Sequence, residues 1–334
     1  MSSFLVSTKK HSYTDFLPFF LGPVKISLSK ESEKNIKRSQ KYLLHNLKEN
    51  RSIYGVNTGF GNLSQIIIDS RDIEKLQKNL VRSHASGIGE PLGLGVVRTI
   101  MFLKLLTFAK GYSGVSLELV KKIIQLFNKN VLPVIPKKGS VGASGDLAPL
   151  GHMALVLMGE GEVFYEGKRL KTALALKKAK IKPLSLKPKE GLSLINGTQA
   201  STAIAIKTLL DGKNLLLSAD IAGAVSVENS FSSRKVFQKR IHDLKQHPGQ
   251  RTSAKNIYKL LNKSEIVHSH NNCCKIQDPY SFRCIPHVHG ASRDMFANAA
   301  NIINNEINSV SDNPLVFDEN LIVSSGHFHA EHVA

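Results

Sequence analysis

The chain predicts a mainly α fold built around long helices, and three observations carry that expectation. Apolar residues recur at helical spacing in segment after segment. Strand signals are confined to one short stretch near residues 163–170. Glycine and proline clusters fall between the periodic segments rather than inside them.

Taken in order, Ile73, Leu76, Leu80 and Val81 fall at i, i+3, i+7 and i+8, one face of a helix. Val96, Ile100 and Leu103 mark a second helix, and Leu119, Ile123, Leu126 and Phe127 a third. Gly111–Gly114 and Pro133–Pro136 separate the helices of this region. Asp146 and Pro149 open a further helix, because aspartate favours the cap and proline fits the first turn. Val163–Leu170 reads as a small hairpin, followed by a basic loop to about Lys189. Long helices then span roughly Thr198–Phe231 and Gly290–Val310, with loops at His247-Pro248-Gly249 and Asp278-Pro279. No internal repeat appears.

Composition bounds the function classes. At 334 residues with 42% hydrophobic content, the chain has the length and make-up of a globular protein with a large core. Its net charge of +19 raises nucleic-acid binding first. The lysines are dispersed, aromatics are only 7%, and no zinc-finger or RNA-binding signature is present, which argues against that class. Lys177–Lys182 and Lys187–Lys189 read as a solvated linker. Phe16–Leu21 is too short and too broken by Pro18 for a secretory signal. No uncharged apolar run is long enough for a membrane span; Ala200–Val227, the most apolar long stretch, carries Lys207, Asp211, Lys213 and Asp220. Cys273, Cys274 and Cys284 form neither a metal spacing nor a paired framework, so a reducing, cytoplasmic setting is expected. His327-x-His329-x-x-His332 has no standard zinc spacing, and no metal is expected.

The chemistry centres on Gly139-Ser140-Val141-Gly142-Ala143-Ser144-Gly145-Asp146. From Ala-Ser-Gly a backbone can make its own electrophile. The Gly145 nitrogen attacks the Ala143 carbonyl carbon, which needs a tight turn that glycine permits. Ser144 then loses its hydroxyl as water, leaving an exocyclic C=C. The plainer reading of the same residues is a flexible turn leading into a helix cap.

Other segments decide between the two. Tyr54-Gly55-Val56-Asn57-Thr58-Gly59-Phe60-Gly61, Ser83-His84-Ala85-Ser86-Gly87, Asn196-Gly197-Thr198-Gln199, Gln277-Asp278-Pro279-Tyr280-Ser281-Phe282-Arg283, Glu306-Ile307-Asn308 through Asp312-Asn313-Pro314-Leu315, and Phe328-His329 follow in turn. Together with the Ala-Ser-Gly stretch they resemble the aromatic amino acid lyase family, and within it the histidases, from about residue 23 to the last residue. The resemblance implies the family's L-aspartase-like bundle of long helices. Residues 1–195 would form an N-terminal domain carrying the tripeptide, and 196–334 the start of a central long-helix domain. It implies a cytoplasmic homotetramer whose active sites draw on several subunits, acting on neither nucleic acid nor membrane. It implies elimination of ammonia from L-histidine to give urocanate, in histidine catabolism. The cofactor would be 4-methylidene-imidazol-5-one (MIO), formed autocatalytically from Ala143-Ser144-Gly145.

By the same resemblance, Tyr54 matches the base that removes the β-proton, a hard task for a phenol whose ordinary pKa is about 10. Tyr280 matches a further tyrosine of the catalytic set. His84 matches a position that sorts substrates, and Ser83-His84 follows the histidase pattern, in which an imidazole hydrogen-bonds the substrate imidazole. Arg283 matches the clamp on the substrate carboxylate, a task suited to a bidentate guanidinium. Asn196 matches an asparagine beside the cofactor and carboxylate, Gln277 a substrate-facing residue, and Phe328 an aromatic lining the pocket. Read without the resemblance, Tyr54 is a packed aromatic, His84 a helix C-terminal dipole partner, Arg283 a salt-bridge residue and Asn196-Gly197-Thr198 a helix cap.

The chain also departs from the histidase pattern. Pro286-His287-Val288-His289-Gly290 stands where the pattern has Pro-Gln-Val-Met-Gly, and His327 and His332 replace an asparagine and a proline. Family members continue beyond this point with more helices and a glutamate near the substrate, so the resemblance implies a C-terminally truncated chain. Two rival functions therefore stand beside the lyase: a truncated, catalytically silent homologue, and an MIO lyase or aminomutase acting on another aromatic amino acid.

Overall fold

A computed structural model describes residues 3–272 and 275–329. Cys273 and Cys274 lie outside the described residues, as do Glu331 and His332. The chain divides into two compact units, residues 1–206 with 303–334, and residues 207–302.

The first unit is organised by a helix without a separate polar face. We label its helices α1 (Lys30–Lys48), α2 (Ile73–His84), α3 (Leu94–Ala109), α4 (Leu117–Asn128), α5 (Leu147–Leu157) and α6 (Glu190–Ile195). α3 is buried without a break from Val97 to Ala109, as expected of a core helix rather than a surface one. α1, α2 and α4 are amphipathic and turn their apolar faces inward. Serine caps begin two of them: Ser29 accepts the Ser32 N–H, and Ser116 the Leu119 N–H. Phe16, Phe19 and Phe102 pack ring against ring, with centroids 5.0–5.9 Å apart. They hold the N-terminal segment on α3, an arrangement whose aromatic geometry adds to simple burial.

Two strands there, β1 (Ser3–Val6) and β2 (Lys25–Leu28), pair in parallel. The helical periodicity gave no sign of them. The hairpin read at 163–170 is present as β3 (Glu162–Tyr165) and β4 (Lys168–Lys171), antiparallel around Glu166-Gly167. The basic stretch that follows is not one solvated loop. Thr172–Lys178 is a helix, and Lys189 is wholly buried. The physical reason is a distant partner: the Lys189 ammonium meets the Asp312 carboxylate at 3.2 Å, and the Asp312 side chain is equally buried.

The long helices are α7 (Gln199–Asn229) and α8 (Ile285–Ile307), close to the two long helices the sequence predicts. Both begin in one unit and continue in the other. Within the second unit, Ala224, Val227, Phe237, Ile257, Leu261 and Val267 form a small apolar core. Beside it, buried Asp220 receives hydrogen bonds from Arg293 (2.6 Å), Asn256 (2.8 Å) and His289 (3.0 Å). Burial pushes the Asp220 carboxyl up, but these donors and the Arg293 charge reverse that and leave it below the usual range. Among the described residues, no helix is long and apolar enough to cross a membrane. Nor does any group of three His, Cys, Asp or Glu stand ready for a metal.

Candidate active site

The loop that carries Tyr54 is held by its own side chains. Asn57 accepts the Ile53 N–H at 2.7 Å and donates to the Arg51 carbonyl at 2.9 Å. The Thr58 hydroxyl accepts the Gly55 N–H at 3.0 Å. Gly55 has φ +64°, and a Cβ there would lie 2.5 Å from the Phe60 ring and 2.7 Å from the Leu192 side chain, so only glycine fits. The Tyr54 ring meets Phe60 edge-on at 6.1 Å, and its hydroxyl accepts the Gly61 N–H at 3.4 Å.

α2 presents Gln77, Leu80 and His84 at i, i+3 and i+7, hence on one face. Gln77 is fully buried and joins two elements: its amide donates to the Gly55 carbonyl at 3.0 Å and accepts the Leu192 N–H at 3.1 Å. It thereby ties the Tyr54 loop to α6. His84, in the last turn, places Nδ1 2.8 Å from the Leu80 carbonyl oxygen. A carbonyl can only accept, so Nδ1 carries the proton. The Nε2 of a neutral His84 ring is then a hydrogen-bond acceptor.

The tripeptide lies in a sharp double turn. Gly142 and Gly145 have φ +68° and +78°, and Ala143 bridges to Gly145. A Cβ on Gly145 would fall 2.3 Å from the Gly197 carbonyl oxygen, so the two backbones are in direct contact. Asp146 fastens the arrangement from below. Its N–H donates to the Gly197 carbonyl at 2.7 Å. Its carboxylate accepts the Ser140 hydroxyl (2.7 Å), the Ser201 hydroxyl (2.6 Å) and the Ser201 N–H (2.7 Å), the last in the first turn of α7. The sequence places Asp146 at the opening of a helix; the structure shows it bonded to the start of α7 while preceding α5.

α6 is buried along its whole length. Lys104, fully buried on α3, donates to the carbonyls of Ser193 (3.1 Å) and Asn196 (2.5 Å). Burial brings the Lys104 ammonium down to about 7, partly offset by Asp312 and Asp146 and reinforced by Lys189. Burial lowers Lys189 as well, against the pull of Asp312. The Asn196 amide donates to the Asn313 carbonyl at 3.0 Å.

These elements enclose a cavity of about 330 Å³. Tyr54, His84, Ser144, Asn196, Asn313 and Ser324 supply its polar lining. Phe60, Leu80, Leu147, Leu192, Ile195 and Phe328 supply the rest. Five of the residues singled out from the sequence, Tyr54, His84, Ser144, Asn196 and Phe328, thus share one cavity, and Ala143 and Gly145 flank Ser144. Gln277, Tyr280 and Arg283 belong to the second unit and do not line it. There Tyr280 is 73% exposed, and Arg283 donates to the Asp278 carbonyl at 2.9 Å. His327 is exposed, within 2.8 Å of the Ser325 hydroxyl.

Sequence reasoning missed Gln77, Lys104 and Lys189, and placed Asp312 in a family segment without giving it a role. Gln77 had a usable signal, its helical register with Leu80 and His84. Lys104 and Lys189 had none, since a lysine in a sequence reads as surface.

Residues 12–334 match the family model described as aromatic amino acid lyase. A histidine ammonia-lyase of Vibrio cholerae serotype O1 is 49% identical over 314 residues, covering 93% of this chain and 61% of that protein. The crystal structure of histidine ammonia-lyase from Trypanosoma cruzi superposes with a TM-score of 0.88 at 32% identity, covering 100% of this chain and 63% of that one. Phenylalanine aminomutase of Pantoea agglomerans superposes with a TM-score of 0.90 at 31% identity, covering 98% and 67%. The chain spans about 55–66% of the length of the curated relatives it matches. With the family's pattern running from residue 12 onward and its fold shared at this level, the chain belongs to the aromatic amino acid lyase family.

Proposed function

We propose that the chain carries out the histidine ammonia-lyase reaction, eliminating ammonia from L-histidine to give urocanate. The observation that carries this reading is the single cavity in which Tyr54, His84, Ser144, Asn196 and Phe328 converge. The residues fit an MIO group formed from Ala143-Ser144-Gly145. The positive φ of Gly145 and its close approach to the Gly197 backbone support a tight turn of the kind that cyclisation needs. When formed, that ring supplies the electrophile that turns the substrate amine into a leaving group.

The remaining chemistry falls to this chain's own side chains. Tyr54 takes the β-proton, its ring oriented by Phe60 and its loop by Gln77. His84 accepts a hydrogen bond from an N–H of the substrate imidazole through Nε2, since the Leu80 carbonyl fixes the proton on Nδ1. Asn196 serves the carboxylate end, with its orientation set by the Asn313 carbonyl. Phe328 and the leucines exclude water, which strengthens the polar contacts. Arg283, Gln277 and Tyr280 would act as clamp, substrate-facing residue and second tyrosine in a homotetramer, to which another copy's second unit contributes. Exposed Leu215, Leu217, Ile221, Val225, Val288 and Met295 in that unit are apolar surface suited to such association. The reaction would take place in the cytoplasm.

Urocanate absorbance after addition of L-histidine tests the reading, with L-phenylalanine and L-tyrosine as competitors for the aminomutase and sister-lyase alternative. A chain whose intact mass lacks the loss of two waters, and which yields no urocanate, would be the silent homologue instead.

A further inference from the structure

Ring closure, on the reading just given, makes one bond and expels two waters. The Gly145 nitrogen joins the Ala143 carbonyl carbon. That carbonyl oxygen leaves as water with the protons of the Gly145 and Ser144 nitrogens. The second water takes the Ser144 hydroxyl and the proton on its Cα. No oxidant is needed, so the demand on the protein is geometric: Gly145 must be held close to Ala143 while its nitrogen changes partners.

The surface that holds it is the Asn196–Gly197 peptide. Gly145 is in backbone contact with Gly197, and the Asp146 N–H grips the Gly197 carbonyl at 2.7 Å. This peptide follows directly on α6, where the last carbonyls of a helix have no partner of their own. Every residue of α6 and the three that follow it is buried, so these carbonyls are sealed from bulk solvent and depend on internal donors. Among the described residues, Lys104 reaches two of these carbonyls, Ser193 and Asn196, from the buried stretch of α3. We infer that Lys104 is a positioning residue for cofactor formation, fixing the Asn196–Gly197 peptide as the wall against which the Ala143-Ser144-Gly145 ring closes.

The alternative role for a buried lysine is generic stability, and the two are separable. Lys104→Met keeps the volume and removes the donor. Lys104→Gln keeps an N–H donor on a shorter, neutral side chain. Purified wild-type and variant chains are followed by intact mass and by the ring's absorbance at fixed times after synthesis, with cooperative thermal unfolding as the check on folding. The wild type is expected two waters lighter than its sequence. K104M is expected to close its ring about tenfold to a hundredfold more slowly, the scale of a small misplacement of reacting groups, while still melting cooperatively. K104Q is expected between the two. A folded K104M chain as fully dehydrated as the wild type overturns the inference. If K104M does not fold, K104Q decides: closure at the wild-type rate overturns the inference, and slowed closure supports it. A wild-type chain of unmodified mass would instead overturn the cyclisation reading itself, and this inference with it.

Discussion

Each unit of this chain buries charge, but the two do so on opposite terms. In the second unit, Asp220 is surrounded by donors: Arg293, His289 and Asn256 all point at one carboxylate. In the first, two lysines are fully buried and only one of them touches an acid; Lys189 meets Asp312, while Lys104 meets backbone carbonyls. The donors of the second unit favour the charged form of Asp220, whereas burial in the first unit disfavours the charged forms of both lysines. Burying an ammonium without a carboxylate is costly, and such a cost is tolerated where the group does something beyond holding the fold. The difference separates a structural cluster in the second unit from a cluster that backs the candidate active site in the first.

The contrast breaks most sharply at Asp220. Asp220→Ala leaves Arg293 without its carboxylate and removes the acceptors of His289 and Asn256. We expect a loss of about 3–5 kcal/mol, the usual cost of orphaning one partner of a buried pair. Urea unfolding followed by circular dichroism measures it, and a loss below about 1 kcal/mol would mean that the cluster is not tightly coupled. A neutral counterpart in the first unit is Gln77. Gln77→Leu strands the Gly55 carbonyl and the Leu192 N–H, each an unpaired buried group. A destabilisation of about 1–3 kcal/mol is expected. Because the same change loosens the Tyr54 loop, kcat should fall more than KM rises.

Lys104 and Asp220 differ in how their stability contributions depend on pH. The folded value of Lys104, about 7, lies below the ordinary lysine value of 10.5, so between these the unfolded chain holds a proton that the folded chain does not. Stability from this group therefore rises with pH across that window, by up to about 1.4 kcal/mol per unit, and is flat below it. The Asp220 carboxyl, held low, contributes with the opposite origin: its stabilisation is present above the unfolded carboxylate value and is lost as the solution is acidified through the folded one. Unfolding free energies of wild type and K104M, measured from pH 6 to about 10, should diverge in slope. Parallel curves would show that Lys104 keeps its charge across the range.

What the sequence made legible follows the same physical divide. The amphipathic helices α2 and α4 show their buried stripes openly, since surface and core residues alternate at helical spacing. The mainly α architecture and the hairpin around Glu166-Gly167 followed from such local signals. The residues lining the cavity were legible through motif, because Tyr54, His84, Ser144 and Asn196 sit in short segments of special backbone. Parallel pairing of β1 with β2 was not legible, because its partners are far apart in the chain and each strand is short. Nor was the burial of Lys189, which depends on Asp312 arriving from a segment more than a hundred residues later. Local patterns report which face of an element is buried; they do not report which charge a distant loop will neutralise.

Exposed ion pairs provide the smallest expected effect and the control for all the others. Arg82 and Glu160 form a surface pair of the first unit, a two-pronged contact at 2.7 and 2.8 Å from the same helix that carries Gln77 and His84. The geometry equals that of the buried contacts, yet both side chains are wetted, so water and salt compete for each charge. Arg82→Gln should therefore leave the thermal midpoint within replicate scatter and should change nothing in ring formation. A clear drop in midpoint would mean that contact geometry, rather than burial, governs the energetics of this chain. Lys104 and Asp220 would then not differ in kind from the surface pairs, because what sets them apart is a charge sealed from solvent and not the hydrogen bonds alone.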